Sequence, residues 1–379
     1  MKILCVDVGT GTQDILLFDT QLHPENSFKL VVPSPTMIVR RQIQSATRKT
    51  APVLLTGVTM GGGPSHWAAE DHLKAGGTLY ATQTAARSFN DDLDYLQESG
   101  IQLVSDDEAR RLPGDVVRVQ LKDFDFGAIQ RSLAEFGVGL DNLAAVAVAV
   151  FDHGNAPADV SDRWFRFEYI ADRVQANPQL STFAFRSENI PPIMTRMQAV
   201  VASASDVDAP LVLMDTAPAA VAGALLDPAV NGRSPLLVAN IGNLHTLAFH
   251  MDTDGIVGTF EHHTGMLDEV KLTRLLRELA DGSLRNEDVF MDQGHGAYIN
   301  TSKPFVFPKD DFGVVITGPR RMMMQHSPIR PYFATPYGDM MVAGCFGLLT
   351  AIADKMPELS EPIWASLRGE QGKPPWELA

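Results

Sequence analysis

Cysteine is nearly absent from this chain, with only Cys5 and Cys345 in 379 residues. That excludes a disulfide framework and fits a reducing compartment. It also excludes a cluster held by several closely spaced thiolates. Basic residues are in deficit, 31 Lys and Arg against 46 Asp and Glu, for a net charge of −15. Such a chain is repelled at long range by nucleic acid and by anionic membranes, so neither is expected as a partner. No apolar run reaches membrane-spanning length, and residues 143–151, the most apolar, read as a strand buried on both faces. Only four apolar residues follow Met1-Lys2 before Asp7, so no signal peptide is expected and the cytoplasm is the expected location. Hydrophobic content of 45% and charged content of 20% are those of an ordinary folded protein. The length suggests two domains or more.

Several enzyme motifs are also missing. There is no Gly-x-x-x-x-Gly-Lys-Ser/Thr loop, no Gly-x-Ser-x-Gly elbow, and no Gly-x-Gly-x-x-Gly after the first strand. What the chain does have is a strand, Lys2-Ile3-Leu4-Cys5-Val6, that runs into Asp7-Val8-Gly9-Thr10-Gly11-Thr12 and returns through Gln13-Asp14-Ile15-Leu16-Leu17-Phe18. A Gly/Thr turn of this kind presents backbone N–H groups and two hydroxyls at one point, which suits a phosphate. Asp7 stands where a carboxylate can hold Mg²⁺ directly or through water; the plainer alternative is a turn cap. A second hairpin repeats the layout: Leu236-Leu237-Val238-Ala239, then Asn240-Ile241-Gly242-Asn243-Leu244-His245-Thr246, then Leu247-Ala248-Phe249. Two such hairpins suggest related half-domains facing one ligand, and with both present the metal role for Asp7 is favoured.

In this arrangement the chain resembles the actin, sugar-kinase and heat-shock-chaperone ATPase superfamily. Further segments match in order: Asp215-Thr216-Ala217-Pro218-Ala219-Ala220 with a first crossing helix, Val314-Val315-Ile316-Thr317-Gly318-Pro319 with the turn approaching adenosine, and Asp339 through Leu349 with a last crossing helix. The strings Gly61-Gly62-Gly63-Pro64, Phe151-Asp152-His153-Gly154, Phe260-Glu261-His262-His263-Thr264-Gly265 and Gly294-His295-Gly296-Ala297 resemble a prokaryotic family of that superfamily. Some members carry the label putative pyruvate formate-lyase activating enzyme. That chemistry needs three closely spaced cysteines for a [4Fe–4S] cluster, and the label is rejected here because only two, far apart, are present.

The resemblance implies an α/β fold of two ribonuclease-H-like domains facing an interdomain cleft. Residues 1–210 plus 339–379 are expected to form the first, with an insertion at about 156–207, and residues 211–338 the second. The hinge is expected at 211–216 and near Gly338. The implied ligands are ATP and Mg²⁺, with a small-molecule acceptor left open. Gly9, Thr10, Gly11 and Thr12 are then expected on phosphate oxygens, with Asn240, Gly242, Asn243, His245 and Thr246 opposite. The superfamily usually opens the second hairpin with Asp; Asn240 adds no negative charge. His245 can donate to phosphate or make a local turn hydrogen bond. Asp215 can orient the metal or the attacking water, or serve as a helix N-cap. Gly318 lets the backbone approach the base or ribose, and Arg320 or Arg321 either pairs with phosphate or begins a solvated helix. Asp152, ending the most buried strand, is a candidate general base.

Three functions follow: a kinase-like phosphotransferase or ATPase, a non-catalytic nucleotide- or small-ligand-binding protein with the same cleft, and a metal-assisted enzyme using clustered histidines. For the last, His153, His245, His250, His262, His263 and His295 are the candidates, although His262 and His263 should face opposite sides of a continuing strand.

Overall fold

The computed structural model describes residues 1–157, 159–300 and 303–377. Two six-stranded sheets share the topology of five of their strands. In the first, Phe28–Pro33, Thr12–Asp19 and Lys2–Val8 lie side by side and antiparallel. Leu143–Val150 joins Lys2–Val8 in parallel, Leu211–Asp215 follows in parallel, and Ala184–Arg186 closes the edge antiparallel. In the second, Gly255–His263, His245–Asp252 and Leu236–Ile241 are the antiparallel trio. Val314–Thr317 and Pro331–Phe333 continue in parallel, and Gly296–Ile299 covers the far edge. Three antiparallel strands followed by parallel strands beside the first is the ribonuclease-H-like order, present here twice. The fold is that of two actin-like ATPase domains facing a cleft.

The strand Leu143–Val150 shows why the sequence packs this way. Its text is LAAVAVAV, and residues of alternate type point to alternate faces. Ala145, Ala147 and Ala149 pack in one core with Phe346, Leu349 and Ile352 of the helix Ala343–Lys355. Val146, Val148 and Val150 pack in another core with Phe124, Met197 and Val200. Small residues on one side let a helix come close; larger ones fill the other side.

The two crossing helices, Thr216–Ala224 and Ala343–Lys355, meet at glycine. A Cβ added to Gly223 would lie 1.8 Å from the Ala343 carbonyl oxygen, and one on Gly347 would lie 1.8 Å from that of Ala219. Backbone touches backbone at this crossing, which no side chain permits.

Gln102–Val104, Leu79–Thr82, Val53–Gly57 and Val117–Leu121 form, in that order, a separate four-stranded parallel sheet, inserted in the chain between Phe28–Pro33 and Leu143–Val150. The helix Pro64–Lys74 has Gly63 at its N-cap. Gly63 takes φ +49°, and Ser65 is buried with its hydroxyl donating to the Gly62 carbonyl. Gln83–Ala86 and Leu93–Glu98 are separate helices, and the second starts where Asp92 accepts from the amides of Asp94 and Tyr95. Near the end of the described chain, Pro357–Leu367 is a helix that buries Ile363, Ala365 and Leu367. Among the described residues no helix is long and apolar enough to cross a membrane.

Replacing Gly223 by Ala should force the crossing helices apart. A loss of roughly 1–3 kcal/mol is expected, the usual cost of overpacking a tight contact. Urea denaturation measures it, and an unchanged midpoint would show that the crossing yields freely.

Candidate functional site

The two hairpins are built alike. In the first, the Gly9 amide donates to the Thr12 carbonyl at 2.9 Å; in the second, the Gly242 amide donates to the His245 carbonyl at 2.9 Å. Their tips meet. A Cβ on Gly11 would lie 2.8 Å from the Asn243 side-chain nitrogen, and one on Gly63 would lie 3.4 Å from Leu244 Cδ1. Behind the tips lies a cleft of ≈ 400 Å³, within the range of small-molecule sites. One end is lined by both hairpins and Gly318; the other reaches Thr59 to Pro64, Ser88, Asn90 and Asp123, which follow the carboxyl ends of strands in the inserted sheet. Ligands of open α/β sheets bind outside such ends.

Of the residues expected at the site, Asp7, Gly9, Thr10, Thr12, Asp152, Asn240, Gly242, Asn243, His245 and Gly318 line the cleft. Gly11, Asp215, Thr246 and Arg320 do not. Gly11 packs against Asn243 instead. Thr246 is buried, its hydroxyl 2.9 Å from that of Thr264. Arg320 is exposed, and its backbone amide donates to the Ile241 carbonyl. Gly318, at φ +96°, needs its missing side chain for another reason than a bound base: a Cβ would lie 2.5 Å from Asn240 Oδ1. Asp152 lines the cleft, but its Oδ1 accepts from the Gly154 amide and its Oδ2 from the Met197 amide, each at 2.9 Å.

Asp7 has a partner that the motif reading did not single out. The hairpin register sets Asp14 directly opposite it. Both carboxylates are buried, and Asp14 Oδ1 has no hydrogen-bond partner. No cation pairs with either among the described residues. Asp7 accepts a hydrogen bond from the Thr216 hydroxyl and lies against Gly344, where a Cβ would fall 1.9 Å from its Oδ2. Burial pushes Asp7 up to about 7, against the Thr216 hydrogen bond. Burial and the charge of Asp7 push Asp14 up to about 8. The second hairpin has Asn240 and Leu247 at the equivalent positions. Of the two hairpins, only the first therefore brings carboxylates to the cleft.

Asp215 is held away from the cleft by a residue that left no mark in the sequence. Its Oδ1 accepts from the Ala217 amide as an N-cap, and its Oδ2 is 2.7 Å from Arg166 Nη1. Arg166, on the helix Asp162–Ala176, also reaches Glu261 Oε2 at 3.0 Å and the Asp152 carbonyl, and its guanidinium lies 3.7 Å from the centre of the Phe151 ring. All three charged groups are buried. Burial opposes ionisation of Glu261, but the Arg166 guanidinium beside it wins and holds the carboxyl well below its ordinary value.

Histidines gather around Glu261. His245 stacks on Phe151 with centroids 4.0 Å apart, and His153, His263 and His295 surround it. Burial holds His245 below its ordinary value and His295 at about 3. His262 and His250 lie apart: His262 Nδ1 is 3.1 Å from the His263 carbonyl, and His250 packs on Phe305. Period-two alternation separates His262 from His263, as expected.

Two outcomes are expected. The native pair Asp7–Asp14 keeps protons that the unfolded chain has lost above about pH 4, so without Mg²⁺ its contribution to stability falls as pH rises toward about 8 and then levels off. Urea midpoints from about pH 5 to about pH 9 should fall more steeply for the wild type than for Asp14→Asn; equal slopes would remove the pair as the cause. Arg166→Met leaves two buried carboxylates facing no cation and should cost roughly 3–5 kcal/mol in denaturation. A loss under about 1 kcal/mol would show that water replaces the guanidinium.

Comparisons with known proteins add the following. No curated protein sequence matches the chain. Among solved structures, the activator of the 2-hydroxyisocaproyl-CoA dehydratase from Clostridium difficile, with bound ADPNP, aligns over 95% of this chain and 98% of that one, at 9% identity and a TM-score of 0.33. An exopolyphosphatase-like protein aligns over 75% of this chain and 59% of that one, at 11% identity and a TM-score of 0.23. The family model described as "Putative pyruvate format-lyase activating enzyme (DUF1786)" matches residues 60–323. Cys5 and Cys345 are both buried, and they are the chain's only thiols, so they do not provide the three cysteine ligands that the description's chemistry requires. By that match over most of its length, the chain belongs to this family.

Proposed function

We propose that the chain binds a Mg²⁺–nucleotide in the cleft and acts as an ATP-dependent phosphotransferase or ATPase. The observation that carries this reading is the pair of facing hairpins with Asp7 and Asp14 buried at the base of one. Phosphoryl transfer rests on positioning and charge neutralisation rather than covalent chemistry from the protein. Turn amides on two sides supply donors for phosphate oxygens. The residues fit a hard cation: two buried carboxylates, one with an oxygen lacking any partner, face no guanidinium or ammonium among the described residues. A bound Mg²⁺ would neutralise both carboxylates and the phosphate charge.

The chain's own groups have separable parts. Asp7 and Asp14 hold the cation, directly or through water, and the Thr216 hydroxyl fixes the orientation of Asp7. Thr10, Thr12 and Asn243 bring donors to the phosphates, while Gly9 and Gly242, whose amides close the turns, shape the backbone around them. The far end of the cleft, along the inserted sheet, leaves room for an acceptor. Asp152 sits there with both oxygens occupied by backbone amides, so it orders the loop that carries His153.

A second reading is favoured by Asn240 and Leu247. With no carboxylate in the second hairpin, the cleft can hold a nucleotide without placing a water for hydrolysis, and the chain would then be a nucleotide-dependent binding or regulatory protein.

Thermal unfolding with rising Mg-ATP or Mg-ADP tests binding. Ligand at about 100 times its dissociation constant adds roughly 2.7 kcal/mol of stability. The wild type should shift upward with dose, and Asp7→Ala should lose the shift. No shift in the wild type would overturn both readings; a shift without phosphate release or transfer would leave the regulatory one.

A further inference from the structure

Glu261 and His295 are fully buried, and both ring nitrogens of His295 lack a hydrogen-bond partner. Buried polar atoms in native structures are paired, so an orphaned imidazole calls for an explanation. Its surroundings give one. His245, His263 and His295 have ring centroids 4.8 to 5.1 Å apart, and one nitrogen from each falls within 4.8 Å of the others. We propose that these three imidazoles form a site for one divalent transition-metal ion, of the open three-histidine class that suits zinc. The site stands independently of the nucleotide reading, since it uses neither Asp7 nor the turn amides.

The groups that face the rings fit this assignment. His263 Nδ1 is 2.7 Å from the Gln293 carbonyl, which fixes the proton there and leaves Nε2 as a lone-pair donor. His245 Nδ1 faces Glu261 Oε1 at 3.4 Å, which leaves its Nε2 free in the same way. His295 Nε2 faces the same carboxylate oxygen at 3.6 Å, which leaves Nδ1. A carboxylate or a carbonyl behind each imidazole is the usual second layer of a histidine metal site, where it sets the tautomer and the ring orientation. Zinc–nitrogen bonds of about 2.0–2.1 Å bring tetrahedral ligands to roughly 3.3 Å of one another, so the rings close in slightly around the ion.

Charge points the same way. Asp215, Arg166 and Glu261 are buried together, two carboxylates to one guanidinium. That group carries one excess negative charge, and two of the three imidazoles face its Glu261 carboxylate. A cation held by them balances it. Of the three, His245 lines the cleft, so an open coordination position there would face a cleft ligand. His262 and His250 take no part.

The test uses the full chain without an affinity tag, stripped of metal by chelator. Titration with Zn²⁺ alone should show one equivalent bound, and Co²⁺ should give the intense visible absorption of a tetrahedral nitrogen site. His263→Ala should weaken Zn²⁺ at least about 10-fold, the smallest effect expected even for losing a supporting group, and should abolish the Co²⁺ band. His326→Ala, an exposed histidine outside the cluster, should change neither. No stoichiometric binding by the wild type would overturn the proposal, as would wild-type affinity in His263→Ala. X-ray absorption of the wild-type Zn²⁺ form decides the question without a variant: about three imidazole nitrogens support the site, and none overturns it.

Discussion

One guanidinium ties the molecule together at its functional centre. Arg166 comes from a helix of the first half of the chain, Asp215 ends a strand of the first sheet, and Glu261 lies in the strand Gly255–His263 of the second sheet. Removing these groups from water is expensive, and only close pairing recovers that cost. The Arg166 head meets both carboxylates, the Asp152 carbonyl and the face of Phe151 at once. The loop that carries Asp152 and His153, the start of the first crossing helix and the strand beneath the histidines are thereby set by one side chain. Coupling between the two sheets at this depth is electrostatic, whereas at the helix crossing it is steric.

The twin hairpins show how a repeated fold becomes chemically one-sided. Their turns close with the same amide-to-carbonyl bond, and their tips touch. Yet one carries Asp7 and Asp14 in register and the other Asn240 and Leu247. His245 replaces, in the second turn, the hydroxyl that Thr12 supplies in the first. One wall of the cleft is anionic and suited to a hard cation. The opposite wall leads back to neutral imidazoles, which suit softer ions. A handful of side chains, rather than any change of backbone, separates the two walls.

Much of the architecture was legible because it is local. Strand, Gly turn and strand lie within a short stretch of chain, and the Ala/Val alternation of Leu143–Val150 announces burial on both faces. The helix Glu269–Asp281 likewise starts from a local signal, the Asp268 side chain accepting from the Lys271 amide. The site was legible where a hairpin puts it together, which is why most of the expected residues of both turns line one cleft. It was illegible where the partners are distant. Nothing near Asp215 signals that Arg166 will reach it, and nothing near Gly318 signals that Asn240 is what excludes its side chain. Asp14 is a different case, since the register of a two-stranded turn already sets it opposite Asp7. The separate inserted sheet is hidden in the sequence because alternating strands and helices read alike whether they extend one sheet or begin another.

The glycine crossing has a consequence for how this chain can change over generations. Where side chains interlock, a larger residue on one helix can be offset by a smaller one on the other. At Gly223 and Gly347 each helix already presents bare backbone to the other's carbonyl oxygen. Neither has anything left to surrender, so no second substitution on the facing helix can rescue the first. The crossing is therefore a bottleneck in sequence space: the elements around it are free to drift, while these two positions hold the same residue or the two halves part.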